Sequence, residues 1–459
     1  MNHACFDPEL IARYDVPGPR YTSYPTAPQF TPSFHEDDYR RHVHASNESG
    51  APLSLYVHIP FCATVCFYCG CNKIVTKRHE RAAPYLQGLT TEIARQGALF
   101  DHRRTVWQLH FGGGTPTFID HNEMAGLMEA LHDNFRLCGG DSGDYSIEID
   151  PRTVDAQRIT QLRALGFNRL SLGVQDFDAT VQQAVNRIQS EAQTLAIIDA
   201  ARTAGFRSIN IDLIYGLPHQ TMASFAATLD KIVALRPERL SVFNYAHLPQ
   251  RFPPQRRILA ADLPSAALKL RILHLTMEKL TATGYVYIGM DHFALPSDPL
   301  AQAQARGTLH RNFQGYTTHG ECDLAGLGLS AIGSVGRCYA QNTTHLETYL
   351  ESLSHDKLPI VHGLTLTTDD RLRRDIIMQL ICNFRLDRHD IERRYGIVFQ
   401  DYFDAELRAL TALANDGLVV SDKDTITITP LGKFLVRNVC MVFDAYLNTG
   451  TQHRYSRVV

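Results

Sequence analysis

His58-Ile59-Pro60-Phe61-Cys62-Ala63-Thr64-Val65-Cys66-Phe67-Tyr68-Cys69-Gly70-Cys71-Asn72 follows directly on a short β-branched and aromatic run, Leu53–His58. Three of its thiols are spaced Cys-x3-Cys-x2-Cys, which lets one loop wrap a face of a [4Fe–4S] cube. Thiolates suit soft iron–sulfur centres, and three thiolates on a four-iron cube leave one iron open. An open metal position can bind and activate a ligand, whereas a closed one only stores charge or shape. The rival reading is a zinc site that also recruits Cys71. Structural zinc sites use two well-separated Cys pairs, and Gly70 alone between Cys69 and Cys71 makes shared coordination awkward. The other six of the ten cysteines are scattered and read as core residues. A disulfide framework is unusual in so long a chain opening Met1-Asn2-His3-Ala4-Cys5-Phe6-Asp7, with no basic n-region and apolar stretch.

Outward from this loop, strand-like runs alternate with amphipathic stretches. The strands are expected at Leu53–His58, Val106–Phe111, Tyr145–Asp150, Arg169–Val174, Ser208–Ile214, Arg239–Asn244 and Tyr285–Gly289. Helical spacing marks Tyr85–Phe100, Met124–Phe135, Asp155–Leu165, Ser190–Ala204, Met222–Leu235 and Ala266–Thr283. Gly166, Gly205 and Gly284 each stand between a helix and the next strand, as C-terminal stops. Such alternation means parallel strands with crossover helices. The strands read as nearly continuous apolar runs, as for burial on both faces. Polar residues and glycines gather at strand ends: Gly112-Gly113-Gly114-Thr115-Pro116, Glu148 with Asp150-Pro151, Gly173 with Gln175, Asp212, and Asn244-Tyr245-Ala246. Barrel enzymes place their sites there. Any one of these turns is explained by turn chemistry alone; together they point to a site.

The chain has 459 residues, 44% hydrophobic and 20% charged, and a net charge of −3. That excludes disorder as the dominant state and a strongly basic nucleic-acid or membrane-surface protein. No apolar run approaches the ~18 residues of a membrane span, and the cytoplasm is the expected compartment. From Leu364 the pattern becomes helical: Arg371–Asn383, His389–Tyr395, Tyr402–Asn415 and a last helix from Pro430, with a hairpin over Leu418–Ile428. This winged-helix-like module carries thirteen Lys+Arg and thirteen Asp+Glu, so a DNA-binding footprint is missing.

The cysteine loop together with GGGTP after the second strand resembles the radical S-adenosylmethionine (SAM) superfamily, whose methionine moiety chelates the open iron. Further stretches narrow the resemblance: Pro19–Thr26, Asn168–Phe177, Asn210–Pro218, Tyr245-Ala246-His247, Gly289–Ala294 and His310–Thr318. Together these are similar, over nearly the whole chain, to the oxygen-independent coproporphyrinogen III oxidase (coproporphyrinogen dehydrogenase) family. The resemblance implies a partial (β/α)6-type, TIM-like barrel with an N-terminal extension and a mainly helical C-terminal domain. The expected divisions are a substrate-covering extension over 1–48, the core barrel over 49–300, a connecting segment over 301–363 that completes the active site, and the helical domain over 364–459. It implies conversion of two propionates of coproporphyrinogen III to vinyl groups, giving protoporphyrinogen IX.

The resemblance further implies Cys62, Cys66 and Cys69 as cluster ligands and two SAM molecules. Tyr56, Gly113, Glu148 and Ile332 surround the first; Tyr68, Gly114, Thr115, Gln175, Arg187, Asp212 and Ala246 the second. Glu148 and Asp212 can accept from ammonium or hydroxyl groups, Arg187 can pair with a carboxylate, and Tyr68 offers a stacking face. The family often carries Phe at that last position. Cys71 is a candidate for substrate chemistry, against the reading of a plain loop thiol. Substrate propionates need cationic partners, for which Arg20, Lys73 and Arg311 are candidates. The implied partners are the tetrapyrrole and a flavodoxin-type electron donor, with the chain a monomer. The nearest alternative, a haem-chaperone relative, typically lacks the fourth cysteine and the Tyr21–Pro25 stretch and carries a Trp-containing haem motif. Here Cys71 and Tyr21–Pro25 are present, and no Trp lies in His310–Thr317.

Overall fold

The computed structural model describes residues 7–447, 455 and 457. The chain packs as two compact units, one formed by Phe30–Pro264 and Glu321–Thr365, the other by residues 1–29, Ser265–Gly320 and Leu366–Val459.

In the first unit six parallel strands, β1 (Leu53–Ile59), β2 (Thr105–Gly113), β3 (Asp144–Ile149), β4 (Arg169–Gln175), β5 (Ser208–Tyr215) and β6 (Arg239–Asn244), lie side by side in chain order. Each crossover carries one long helix, α1 (Ala83–Gly97), α2 (His121–Asn134), α3 (Ala156–Ala164), α4 (Glu191–Thr203) and α5 (Met222–Leu235), with the short helix Ala179–Ala184 preceding α4. Right-handed crossovers between sequential neighbours put all these helices on one face, which is the winding of a barrel. The helices begin where side chains can take the orphan N–H groups: Asp120 with Glu123, Ser190 with Gln193 and Thr221 with Ser224 form capping boxes. They stop as the glycines foretold; Gly166 and Gly205 have φ of +100° and +81°.

The strands alternate in burial, which corrects the expectation of burial on both faces. Leu109, Phe111, Ile147, Ile149, Leu170, Leu172, Ile211 and Leu213 are buried. Their alternates, His110, Ser146, Glu148, Ser171, Gly173, Asn210 and Asp212, are only half-buried. The apolar set faces the helices and contributes about 1.5–3 kcal/mol per large side chain; the polar set lines the hollow. The barrel is partial. Beyond β1 the sheet continues with Asp323–Leu327, parallel to it, and then the antiparallel strands Ile332–Val335, Cys338–Asn342 and Ile360–Thr365. Arg104 anchors the added strand by a buried ion pair to Asp323, which also accepts from Gly336 N–H at 2.8 Å.

Glu92 on α1 is fully buried and takes hydrogen bonds from Gly328 N–H, Asn342 Nδ2 and the Tyr349 hydroxyl. Burial pushes its carboxyl from the ordinary 4.5 up to about 7, against those donors. Between these pH values the folded chain keeps a proton that the unfolded chain has lost, so this group's contribution is greatest below pH 4.5 and declines as pH rises toward 7. Denaturant unfolding of the wild type should show that decline, by roughly 3 kcal/mol at ~1.4 kcal/mol per pKa unit. Glu92→Gln should flatten it.

In the second unit, Val286–Gly289 is not a seventh parallel strand. It turns back through Met290 and Asp291 into an antiparallel hairpin with His292–Ala294. Both turn residues sit at positive φ, +45° and +73°, without the glycine that normally signals such a turn. The C-terminal segment has the expected hairpin, Val419–Ser421 with Thr425–Ile428, joined by an unforeseen third strand, Arg385–Asp387. The last helix, Val436–Val442, starts later than Pro430, after a 3₁₀ turn over Gly432–Leu435. Tyr21 and Tyr24 are buried, and their hydroxyls bond Asp444 at 2.9 Å and Ala445 N–H at 3.0 Å, so this stretch is packed rather than trailing.

Candidate active site

The cysteine loop leaves β1 through Pro60 and is closed by a two-residue parallel pairing of Phe61–Cys62 with Ile74–Val75. Ile74 N–H donates to Pro60 O at 2.7 Å and Thr76 N–H to Cys62 O at 2.9 Å. The glycine turn at the end of β2 is stitched to the same strand end. Gly114 N–H reaches Ile59 O and Thr115 N–H reaches Phe61 O, both at 2.8 Å. Those two bonds set the thiol loop beside open backbone.

Cys62 and Cys66 are buried, Cys69 half-buried and Cys71 exposed. Hydrogen-bond donors converge on the sulfurs. The Thr115 hydroxyl faces Cys62 Sγ at 3.5 Å, while Arg187 Nη1 and Arg152 Nη2 face Cys66 Sγ at 3.4 and 3.5 Å. Cys71 donates its N–H to Cys69 Sγ at 3.4 Å. The Cys71 thiol bonds the same sulfur, and with Lys73 nearby this draws Cys69 well below its ordinary value while Cys71 rises well above its own. Burial pushes Cys62 up to about 11. Donors aimed at sulfur favour thiolate and fit an iron–sulfur centre, whose potential they tune. Lys73, read as a propionate candidate, donates to the carbonyls of Cys69 and Cys71 at 3.1 and 3.4 Å.

Beside the thiols is a cradle for a ligand. Gly113 has φ +114°, and a Cβ there would stand 2.6 Å from the His58 ring. Its N–H donates to Glu148 Oε2 at 3.1 Å. The Tyr56 ring stacks on His110 at 5.8 Å and its hydroxyl bonds His58 Nδ1 at 3.0 Å. His58 Nε2–H in turn donates to Asn72 O at 3.0 Å, tying the far end of the loop back to β1. Ile332 lies two strands over from Tyr56, its backbone against Gly326 on the intervening strand, which pairs with Tyr56.

A second group surrounds Gly173. Arg187 gives Nη1 to Asp150 at 3.2 Å and Nη2 to Gly173 O. Its carboxylate partner is therefore internal, and only Nε is left, buried and unpartnered, beside the similarly orphaned Gln175 Oε1. Orphaned buried polar atoms are what a bound polar ligand would satisfy. Asp212 accepts from Ser171 at 2.9 Å and Asn210 at 2.7 Å, and burial raises it to about 6. Gln255 Nε2 bridges the carbonyls of Tyr68 and Ala246 at 2.9 and 3.2 Å, drawing those two residues together. His58, Arg152 and Gln255 were not anticipated as parts of the site; Asp150 was noted only as a turn residue. The three cluster thiols, Cys71 and the eleven residues expected around SAM all belong to the first unit.

Residues 56–232 match the Radical SAM superfamily and residues 366–435 the HemN C-terminal domain. The chain is 55% identical over 454 residues to the oxygen-independent coproporphyrinogen III oxidase of Pseudomonas aeruginosa, covering 99% of each. It is 40% identical to that of Helicobacter pylori, covering 97% of this chain and 98% of the relative. Among solved structures, the coproporphyrinogen III oxidase (HemN) of Escherichia coli, described as a radical SAM enzyme, superposes with a TM-score of 0.92 at 50% identity. That match covers 96% of this chain and 99% of the other.

Proposed function

The chain belongs to the oxygen-independent coproporphyrinogen III oxidase family of radical SAM enzymes, and on that premise we propose how its residues divide the work. The enzyme converts two propionates of coproporphyrinogen III to vinyl groups, giving protoporphyrinogen IX. Its cofactors are a [4Fe–4S] cluster and SAM; when bound, they supply the electron and the 5′-deoxyadenosyl radical that takes hydrogen from the propionate β-carbon, before CO₂ and one further electron leave.

Cys62, Cys66 and Cys69 hold the iron, with Thr115, Arg152 and Arg187 stabilising their negative charge. Glu148, fixed by Gly113 N–H, would accept from the ammonium of one SAM, which Tyr56 and Ile332 would help to hold. Gly114, Thr115, Tyr68 and Asp212 would hold the second SAM, Tyr68 through its stacking face and Asp212 as an acceptor for ammonium or hydroxyl groups. Gln175, Arg187 and Ala246 complete that wall. Cys71 stands on the open side of the loop and acts toward the substrate. The covering role of 1–48 and the completing role of 301–363 belong to this reading, as do the monomeric state, the cytoplasmic location and a flavodoxin-type donor. Among the described residues, no helix is long and apolar enough to cross a membrane. The haem-chaperone alternative is not favoured, because the full-length relatives are oxidases.

The observation that carries the proposal is the pair of 2.8 Å bonds locking the glycine turn to the thiol loop. Equilibrium binding under anaerobic conditions tests the two-SAM arrangement. The wild type should bind two molecules per chain. Asp212→Ala should weaken one of them about tenfold or more, the effect of losing a charge-assisted hydrogen bond of roughly 1.5–3 kcal/mol. Lowering the pH through about 6, where Asp212 takes up a proton, should weaken the same molecule. A single SAM per wild-type chain would contradict the arrangement.

A further inference from the structure

Two stretches that marked the resemblance, Gly289–Ala294 and His310–Thr318, take no part in the site above, and both lie in the second unit. The strands His310–Asn312 and Gly315–Thr317 pair so that Arg311 stands opposite Tyr316, with its guanidinium 4.8 Å over that ring. Nε and Nη1 of Arg311 are buried and have no hydrogen-bond partner.

Two more guanidinium groups act on the same place. Arg437, 4% exposed, donates to Pro19 O at 2.8 Å and to Gly18 O, and so clamps the backbone that carries Arg20. The charges of Arg20, Arg311 and Arg437 are all felt at Asp291. Asp291 is set by the strained Met290–Asp291 turn, both of whose residues sit at positive φ without being glycine. His292 adds no positive charge. It donates Nδ1–H to Met290 O at 2.6 Å, and burial holds its ring neutral, with a pKa of about 3.

Three cations thus bear electrostatically on one carboxylate, and one of them has two buried N–H groups without acceptors. Buried N–H groups without acceptors are costly for a fold to retain. A planar guanidinium fixed on an aromatic face is also the geometry that receives a carboxylate through two parallel bonds.

We propose that Arg20 and Arg311, with Arg437 as the positioning residue, form a carboxylate-binding site that takes a propionate of the tetrapyrrole substrate. The identity of the ligand rests on the function given above; the carboxylate chemistry does not.

The test uses the full chain with its cluster and two stable probes, coproporphyrin III and its methyl ester, whose binding is followed by fluorescence. Wild type should bind the free acid at least tenfold more tightly than the ester. Arg311→Gln should lose that preference, and Arg311→Lys should regain part of it. Arg20→Gln carries the same test should Arg311→Gln fail to fold. An acid preference that survives intact in Arg311→Gln, or acid and ester binding alike in wild type, would overturn the site. Vinyl formation is assayed in parallel. A wild type that prefers the acid but forms no vinyl product would bring down the reaction and leave the carboxylate site standing.

Discussion

Replacing Cys66 with alanine is expected to abolish protoporphyrinogen IX and 5′-deoxyadenosine formation together, reducing both to background. Two effects combine. With the proposed ligand set, the cluster would lose one of its three thiolates, opening a second iron so that the cube is no longer held. The two guanidinium groups of Arg152 and Arg187, 3.5 and 3.4 Å from that sulfur, also lose an acceptor and are left with Asp150 as their shared carboxylate and, for Arg187, Gly173 O. Buried cations left short of an acceptor destabilise the surrounding turn as well. Alanine at Cys62 or Cys69 should have the same outcome. Cys71→Ala is the contrasting case. Because that thiol lies on the exposed side of the loop, iron and sulfide should stay at wild-type content while turnover falls. Iron and sulfide analysis beside product assay separates the two. Loss of iron from Cys71→Ala as well would favour four-cysteine coordination.

Gly114→Ala is the second large effect. A Cβ at this position would lie 2.7 Å from the carbonyl carbon and oxygen of Pro60 and 2.8 Å from Phe61 O. These are backbone atoms, so no side chain can swing away to make room. The turn must move off β1 and give up the bonds from Gly114 and Thr115 that hold it to the thiol loop. At about 1 kcal/mol net per hydrogen bond, plus the cost of stranding buried groups, SAM affinity should fall by well over tenfold. Gly126→Ala supplies the control. That glycine lies within α2 with nothing within 4 Å of a Cβ, so alanine should stabilise the helix by about 1 kcal/mol. SAM binding by the two variants, with thermal unfolding of each, checks both statements.

The difference between what could be read in advance and what could not follows from the range of the interactions. Helix Met222–Leu235 and strand Arg239–Asn244 appear as read, because apolar period and caps are local signals. Asp323-Leu324-Ala325-Gly326-Leu327 reads in sequence as part of a connecting segment. It lacks β-branched residues and contains a glycine, and it becomes a strand by pairing with β1. The Met290–Asp291 turn was hidden for a related reason, since nothing in those residue types announces positive φ. At the site, the thiols, Gly113, Gly114 and Glu148 were legible from motif and position at strand ends. The partners were not. Arg187 was expected to meet an external carboxylate, but Asp150, 37 positions away, already occupies it. Gln255, which ties Tyr68 to Ala246, sits in a 3₁₀ turn with no motif around it. His58 falls inside the quoted loop, yet its role of holding Tyr56 and Asn72 is visible only in three dimensions.

The central claim is that three thiolates leave one iron free to engage SAM. The most direct measurement is iron and sulfide analysis of an anaerobically prepared chain, combined with Mössbauer or electron–nuclear double resonance spectra with and without labelled SAM. The account predicts four irons and four sulfides per chain, with one iron changing its signature when the methionine nitrogen and carboxylate bind. A protein holding zinc alone, or a cluster whose four irons are all indifferent to SAM, would contradict it.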